Sequence, residues 1–264
     1  MLILGTSTCH LLLAEREALV PGVAGVVEDG IVAGLYAYEA GQAAVGDSFA
    51  WFVDTLLPGE IRDEAARRGV SAHDVLSERA STLRPGETGL VALDWWNGNR
   101  STLVDADLSG LLIGATLATR PEHVYRALVE STAFGTRVIA DALTLGGVPI
   151  TRLVAGGGLT RNRLLMQIYA DVMGLEIEVA GAAQASALGA AMLGAVAAGP
   201  PAGGHATVDA AAAAMAPGPT ARYRPDPTAH RQYDALYAIY GELYDAFGRH
   251  PQLMHRLRGL RCGQ

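Results

Sequence analysis

The sequence predicts an α/β fold, and three observations carry the prediction. Residues 153–162 read as an apolar strand, then Gly156, Gly157 and Gly158, then a helix start near Arg161. Residues 1–13 read as two apolar strands around a small hydroxyl-rich turn, Gly5-Thr6-Ser7-Thr8. Of the 264 residues, half are hydrophobic, 18% are charged and 32 are glycine, a profile of tight helix–sheet packing rather than of disorder or a coiled coil. A chain of this length can bury a substantial core as one large or two small domains.

The elements follow in order. After the first hairpin, residues 23–27 and 31–38 are expected strands joined by a turn at Glu28-Asp29-Gly30. Strands near Ile3, Leu11, Val23, Leu35 and Val154 should share one sheet, with helices packed on it. Residues 43–57 carry a helical pattern with Phe49, Trp51 and Phe52, and residues 60–80 read as one polar surface helix. A turn at residues 85–89 leads into a strand over 90–93. An aromatic, polar loop follows, Asp94-Trp95-Trp96-Asn97-Gly98-Asn99-Arg100.

Pro121 opens a helix to about residue 145, with Val124, Leu128, Ala133, Phe134 and Val138 on its apolar side. Behind the glycine turn, Leu165, Ile168, Tyr169 and Val172 recur at i, i+3, i+4 and i+7, committing one helix face to a core. A strand over 176–179 and a small-residue helix over 185–198 come next. Residues 199–220 are rich in Pro, Gly and Ala and read as a loop with one short helix. The last helix opens near Pro227 and carries Tyr233, Tyr237, Tyr240 and Tyr244; with Trp95 and Trp96 these belong to the core.

Composition narrows the function. A net charge of −7 without a basic patch argues against nucleic acid. No apolar run reaches the roughly 18 residues that span a membrane. Gly5, Thr6, Ser7, Thr8 and His10 interrupt the apolar start and no basic segment precedes it, so no secretory signal is expected. Cys9 and Cys262 have no metal-type spacing, which suits a reduced, cytoplasmic setting. His10, His73 and His123 show no ligand or catalytic spacing.

The candidate chemistry lies at the two turns. Glycines without side chains let a ligand lie against the backbone, and a helix start supplies free N–H donors. Gly5, Thr6 and Ser7 offer N–H groups and hydroxyls to an anion. The alternatives are structural. The triple glycine can be a left-handed turn, and Thr6 and Ser7 can close a hairpin through their own hydroxyls. Asn162 can be a helix N-cap, and Glu39, next to apolar residues, can pair with an arginine. Asp94, Asn97 and Arg100 stand as second-rank candidates in a structured loop.

Together these segments resemble the C-terminal domain of the FGGY family of carbohydrate kinases, over nearly the whole chain. Within the family the resemblance is to L-ribulokinases, through Gly5-Thr6-Ser7-Thr8-Cys9, Glu39-Ala40-Gly41-Gln42 with Gly46-Asp47, and residues 93–100. The resemblance implies an actin-like ATPase (ribonuclease H-like) fold, the C-terminal half of a two-domain sugar kinase. It divides the chain into the kinase domain (1–198), a Pro/Gly/Ala-rich loop (199–222) and a C-terminal helix and tail (223–264). It implies phosphorylation of a pentulose, L-ribulose to L-ribulose 5-phosphate in arabinose catabolism, with ATP and Mg²⁺.

The same resemblance implies that Gly5, Thr6 and Ser7 grip phosphates and that Gly156, Gly157, Gly158 and Asn162 hold the adenosine. Gly46 is where the nucleotide nears a helix start, and Glu39 binds the sugar. It implies no metal ligand and no catalytic base in this chain, because the family's base lies in an N-terminal domain, the partner expected here. A homo-oligomer, another FGGY sugar kinase (xylulose, ribulose or glycerol type) and an inactive or stand-alone nucleotide-binding module stay open.

Overall fold

In this computed structural model, which describes residues 1–23 and 25–262, the chain folds around a mixed sheet. The first strands are β1 (Leu2–Leu4), β2 (Thr8–Ala14), β3 (Gly25–Glu28) and β4 (Tyr36–Gln42). Helices α1 (Gly46–Trp51), α2 (Gly59–Arg68) and α3 (Ala72–Ser81) come next, then the short strands β5 (Val91–Leu93) and β6 (Leu111–Ile113). The second half holds α4 (Pro121–Leu145), β7 (Leu153–Gly156), α5 (Arg163–Met173), β8 (Ile177–Val179), α6 (Ala185–Ala198), α7 (Val208–Met215), β9 (Ala221–Tyr223), α8 (Pro227–Tyr244) and α9 (Gln252–Cys262). Among the described residues seven strands join in the order β3-β4-β2-β1-β7-β8-β9, while β5 and β6 pair apart from them.

The first four strands are antiparallel, whereas β1, β7 and β8 run parallel. Parallel neighbours need a crossover, and α4 and α5 supply the helices for it. Three of the even residues of β4, Tyr38, Ala40 and Gln42, are buried, and the fourth, Tyr36, is half-buried. Tyr38 and Ala40 pack with Ile139 and Leu143 of α4, and Gln42 Nε2 donates to the Thr132 carbonyl at 2.9 Å. The larger core joins Leu4, Val45, Phe49, Leu76, Trp95, Phe134, Leu165 and Tyr240. The tyrosine stripe of α8 is core as expected, with Tyr233, Tyr240 and Tyr244 buried.

Several expectations need correction. Residues 60–80 form two helices, because Gly69 takes a left-handed conformation (φ +64°) and Ser71 caps α3 through a reciprocal bond with Asp74. The strand expected over 31–38 begins only at Tyr36, where pairing with Ala14 starts; Asp29 and Gly34 have positive φ in the loop before it. The strand expected over 23–27 is paired from Gly25 to Glu28, and Ala24 lies outside the described residues. Leu35 and Val23 therefore stand just before their strands. The helix behind the glycine turn starts at Arg163, after a 3₁₀ turn over Gly158–Arg161.

Candidate active site

Two parallel strands in the middle of the sheet end side by side at their carboxyl ends. β1 pairs with β7 through Leu2↔Ala155 and Ile3↔Gly156. The turn after Leu4 and the turn after Gly156 therefore emerge together. Ligands of open α/β sheets sit outside such carboxyl ends.

The three glycines have different reasons to be there. Gly157 has φ +99°, and a Cβ on it would stand 2.3 Å from the Leu4 carbonyl oxygen. The fold itself demands glycine at that point. At Gly156 a Cβ would meet Met1 Cε at 3.3 Å. At Gly158 it would meet nothing within 4 Å, and this residue lines a cleft of about 650 Å³.

The cleft lies between the glycine turn, the start of α1 and helix α3. Phe49, Ser77, Tyr125 and Asn162 form much of its wall. His73 Nδ1 and Tyr125 Oη stand 3.3 Å apart there. Burial lowers the His73 pKa and raises that of Tyr125. Both are held neutral near pH 7.

Asn162 is an N-cap. Its Oδ1 accepts from the Leu165 N–H at 3.1 Å, and its Nδ2 donates to Ser77 Oγ at 3.0 Å, tying α5 to α3. Gly46 also has a packing reason. A Cβ on it would lie 2.7 Å from the Gly5 carbonyl oxygen. The N–H groups at the start of α1 are spent on the hairpin: Val45 and Asp47 donate to Thr6 O, and Gly46 donates to Gly5 O. That helix start offers few free donors.

The hairpin turn closes through its backbone, Gly5 N–H to Ser7 O at 2.9 Å. Thr6 is exposed and Ser7 half-buried, and neither hydroxyl has a partner among the described residues. Hairpin closure by those hydroxyls, one of the readings open from sequence, is not what the turn uses.

Glu39 stands on the odd-numbered face of β4, away from α4, roughly 10 Å along the strand from its Gln42 end. Its Oε1 accepts from Arg100 Nη2 at 2.5 Å, both side chains being about half exposed. The arginine pairing weighed from sequence is therefore real. Asp94, by contrast, is buried scaffold: it accepts from Gln42 Nε2 and from Tyr240 Oη, each at 2.7 Å. Burial raises its pKa, against the pull of those two donors. Trp95 is fully buried, and the Trp96 ring packs against Trp51, tilted by 32° with centroids 4.8 Å apart.

The structure thus gathers Gly46, Gly158 and Asn162 around one cleft, with Gly5, Thr6 and Ser7 beside it, and leaves Glu39 farther along the sheet. Sequence reasoning missed Ser77, His73 and Tyr125. They sit on helices read as surface or core, and no spacing links them to the glycine turn.

The model of the FGGY family of carbohydrate kinases, C-terminal domain, matches residues 1–198. A protein named ribulokinase from Bacillus licheniformis is 51% identical over 262 residues, covering 99% of this chain and 48% of that protein. One from Shouchella clausii is 53% identical over 263 residues, covering 99% of this chain and 47% of its own length. Among solved structures, the xylulose kinase of Rhodospirillum rubrum superposes with a TM-score of 0.79 at 27% identity, over 96% of this chain and 48% of that one. The chain spans about half the length of the curated relatives it matches.

Proposed function

The chain belongs to the FGGY family of carbohydrate kinases, of which it carries the C-terminal domain, and from that membership we propose that it supplies the nucleotide-binding half of a ribulokinase. The reaction is transfer of a phosphoryl group from ATP to a pentulose hydroxyl, L-ribulose to L-ribulose 5-phosphate. The observation that carries this reading is the pair of glycine turns beside one cleft, in a chain 51–53% identical to proteins named ribulokinase.

The residues fit a nucleotide. Gly158 leaves room for adenosine in the cleft beside Tyr125 and Asn162. The unpartnered hydroxyls of Thr6 and Ser7 suit phosphate oxygens at the neighbouring turn. Asn162 serves by holding α5 and α3 in place, Gly46 and Gly157 by letting the backbones meet, and Gly156 by leaving room for the Met1 side chain. ATP supplies the phosphoryl group; this chain binds and orients it. Mg²⁺ is expected with the nucleotide, but among the described residues no three His, Cys, Asp or Glu side chains gather to hold a metal ion. An Mg²⁺ carried on the nucleotide phosphates needs only one or two protein carboxylates, and the charge neutralisation it would supply belongs to the ATP complex.

Glu39 is assigned to the sugar, since a carboxylate accepts from hydroxyls and repels phosphate. Phosphoryl transfer also needs a base or orienter for the attacking hydroxyl, and the proposal places that group in an N-terminal half. A cytoplasmic setting goes with this reading. The test is ATP-dependent phosphorylation of L-ribulose, D-xylulose and glycerol by the chain alone and by the chain supplemented with the N-terminal half of the B. licheniformis relative. Activity is expected only in the supplemented sample and highest on L-ribulose. Robust turnover by the chain alone, or a preference for xylulose or glycerol, would overturn the assignment.

A further inference from the structure

Glu39 sits on an open patch of sheet. Its paired neighbours are Leu11 on β2 and Gly25 on β3, and residues paired across antiparallel strands point to the same side. A Cβ at Gly25 would meet nothing within 4 Å, so one flank of the carboxylate is bare. Two residues along β4, Gly41 is crowded. A Cβ there would stand 2.7 Å from the Thr8 carbonyl oxygen and 3.3 Å from Arg100 Nη1. The Arg100 side chain therefore lies over Gly41 and reaches Glu39 along the strand.

The loop that carries Arg100 is anchored at the same place. Gly41 N–H donates to Ser101 Oγ at 3.2 Å. Asn99 and Asp105 exchange backbone hydrogen bonds of 2.8 Å, and Leu103 N–H donates to Asn99 Oδ1 at 3.0 Å. A guanidinium on such a fixed base holds a flexible carboxylate better than an ammonium on a free stem would. Arg100 takes Oε1 and leaves Oε2 to accept from something else.

We propose that Arg100 is a positioning residue for sugar recognition: it fixes the Glu39 carboxylate over the bare patch so that Oε2 accepts from adjacent hydroxyls of a ketopentose. The inference rests on the sugar-kinase reading above. Its physical basis is that a glutamate ordered before binding loses less rotamer freedom when the sugar arrives.

The test uses the enzyme completed with the N-terminal half of the B. licheniformis relative, with L-ribulose as the probe. Arg100→Ala should raise the sugar KM by about tenfold, the scale of one charge-assisted hydrogen bond, while the ATP KM and the melting temperature hold. Arg100→Lys should recover part of the loss. In the double variant Arg100→Ala/Glu39→Ala, the arginine substitution should add nothing to Glu39→Ala, because it acts only through that carboxylate. A full additive effect would make Arg100 a direct ligand of the substrate and overturn the proposal. So would an unchanged sugar KM in Arg100→Ala beside a strong effect of Glu39→Ala. Silence of Glu39→Ala itself would instead sink the sugar assignment of Glu39 on which the inference rests.

Discussion

At the scale of single residues, neighbouring glycines separate fold from function. Gly157 is strained for any other residue and touches the Leu4 carbonyl, whereas Gly158 opens on the cleft. Gly157→Ala should lower stability by roughly 2 kcal/mol or more, since it adds both a positive-φ penalty and a backbone clash. Gly158→Val should keep the fold and weaken ATP binding. Thermal melts and nucleotide titration of the two variants separate these outcomes. Unchanged ATP affinity in the Gly158→Val variant would remove adenosine from that wall.

His10 offers a pH test at the same scale. Burial between strand and helix, with Nε2 at 3.3 Å from Thr136 Oγ1, lowers its pKa from 6.5 to about 3. The unfolded chain therefore takes up a proton near pH 6.5 that the folded chain refuses. Its contribution is present above pH 6.5 and is lost as pH falls towards 3, at about 1.4 kcal/mol per pH unit. Asp94 and Glu130 are raised by burial and act in the opposite direction, so the comparison must be between variants. His10→Asn should lose less stability between pH 7 and pH 4 than the unsubstituted chain; equal slopes would show that His10 is not the titrating group.

At the scale of elements, α4 is the axis of the molecule. Its Arg126 and Glu130 form a buried pair at 2.7 Å, and Arg126 also reaches the Ala80 carbonyl and Tyr233 Oη, each at 2.8 Å. Removing one partner strands a buried charge. Arg126→Met should cost about 3–5 kcal/mol in urea unfolding, and adding Glu130→Leu should restore part of it. An additive double variant would mean that the two side chains act independently. α4 is also an element that the sequence announces: Pro121 at its first turn and the apolar spacing place it over residues 121–145, as observed. The stretch 60–80 is harder to divide. Gly69 and Ser71 are the signals that end one helix and cap the next, yet its polar residues read equally well as one helix.

At the scale of the whole molecule, the sheet brings the candidate phosphate turn and the candidate adenosine turn together at the carboxyl ends of two central strands and leaves a face around Glu39 open. If half of the phosphate donors lie in an N-terminal domain, ATP should raise the melting temperature of the isolated chain little. The completed enzyme should gain more, because ligand stabilisation grows as RT ln(1 + [L]/Kd). Differential scanning fluorimetry at several ATP concentrations reads this directly. An equal shift in both samples would place the full nucleotide site within this chain.

The sequence by itself determined the α/β class, the long helix α4, the small-residue helix α6, the tyrosine core of α8 and the glycine turn. Each of these is written in local spacing, in the 3.6-residue recurrence of apolar side chains or in glycine where the backbone must turn. Only the tertiary structure decided that β5 leaves the main sheet to pair with β6, that β4 starts at Tyr36, and that Glu39 meets Arg100 across 61 residues of chain. It also decided which glycine serves the fold and which faces the cleft. Those outcomes depend on partners distant in sequence, and a strand or a glycine carries no local mark of what will be brought against it.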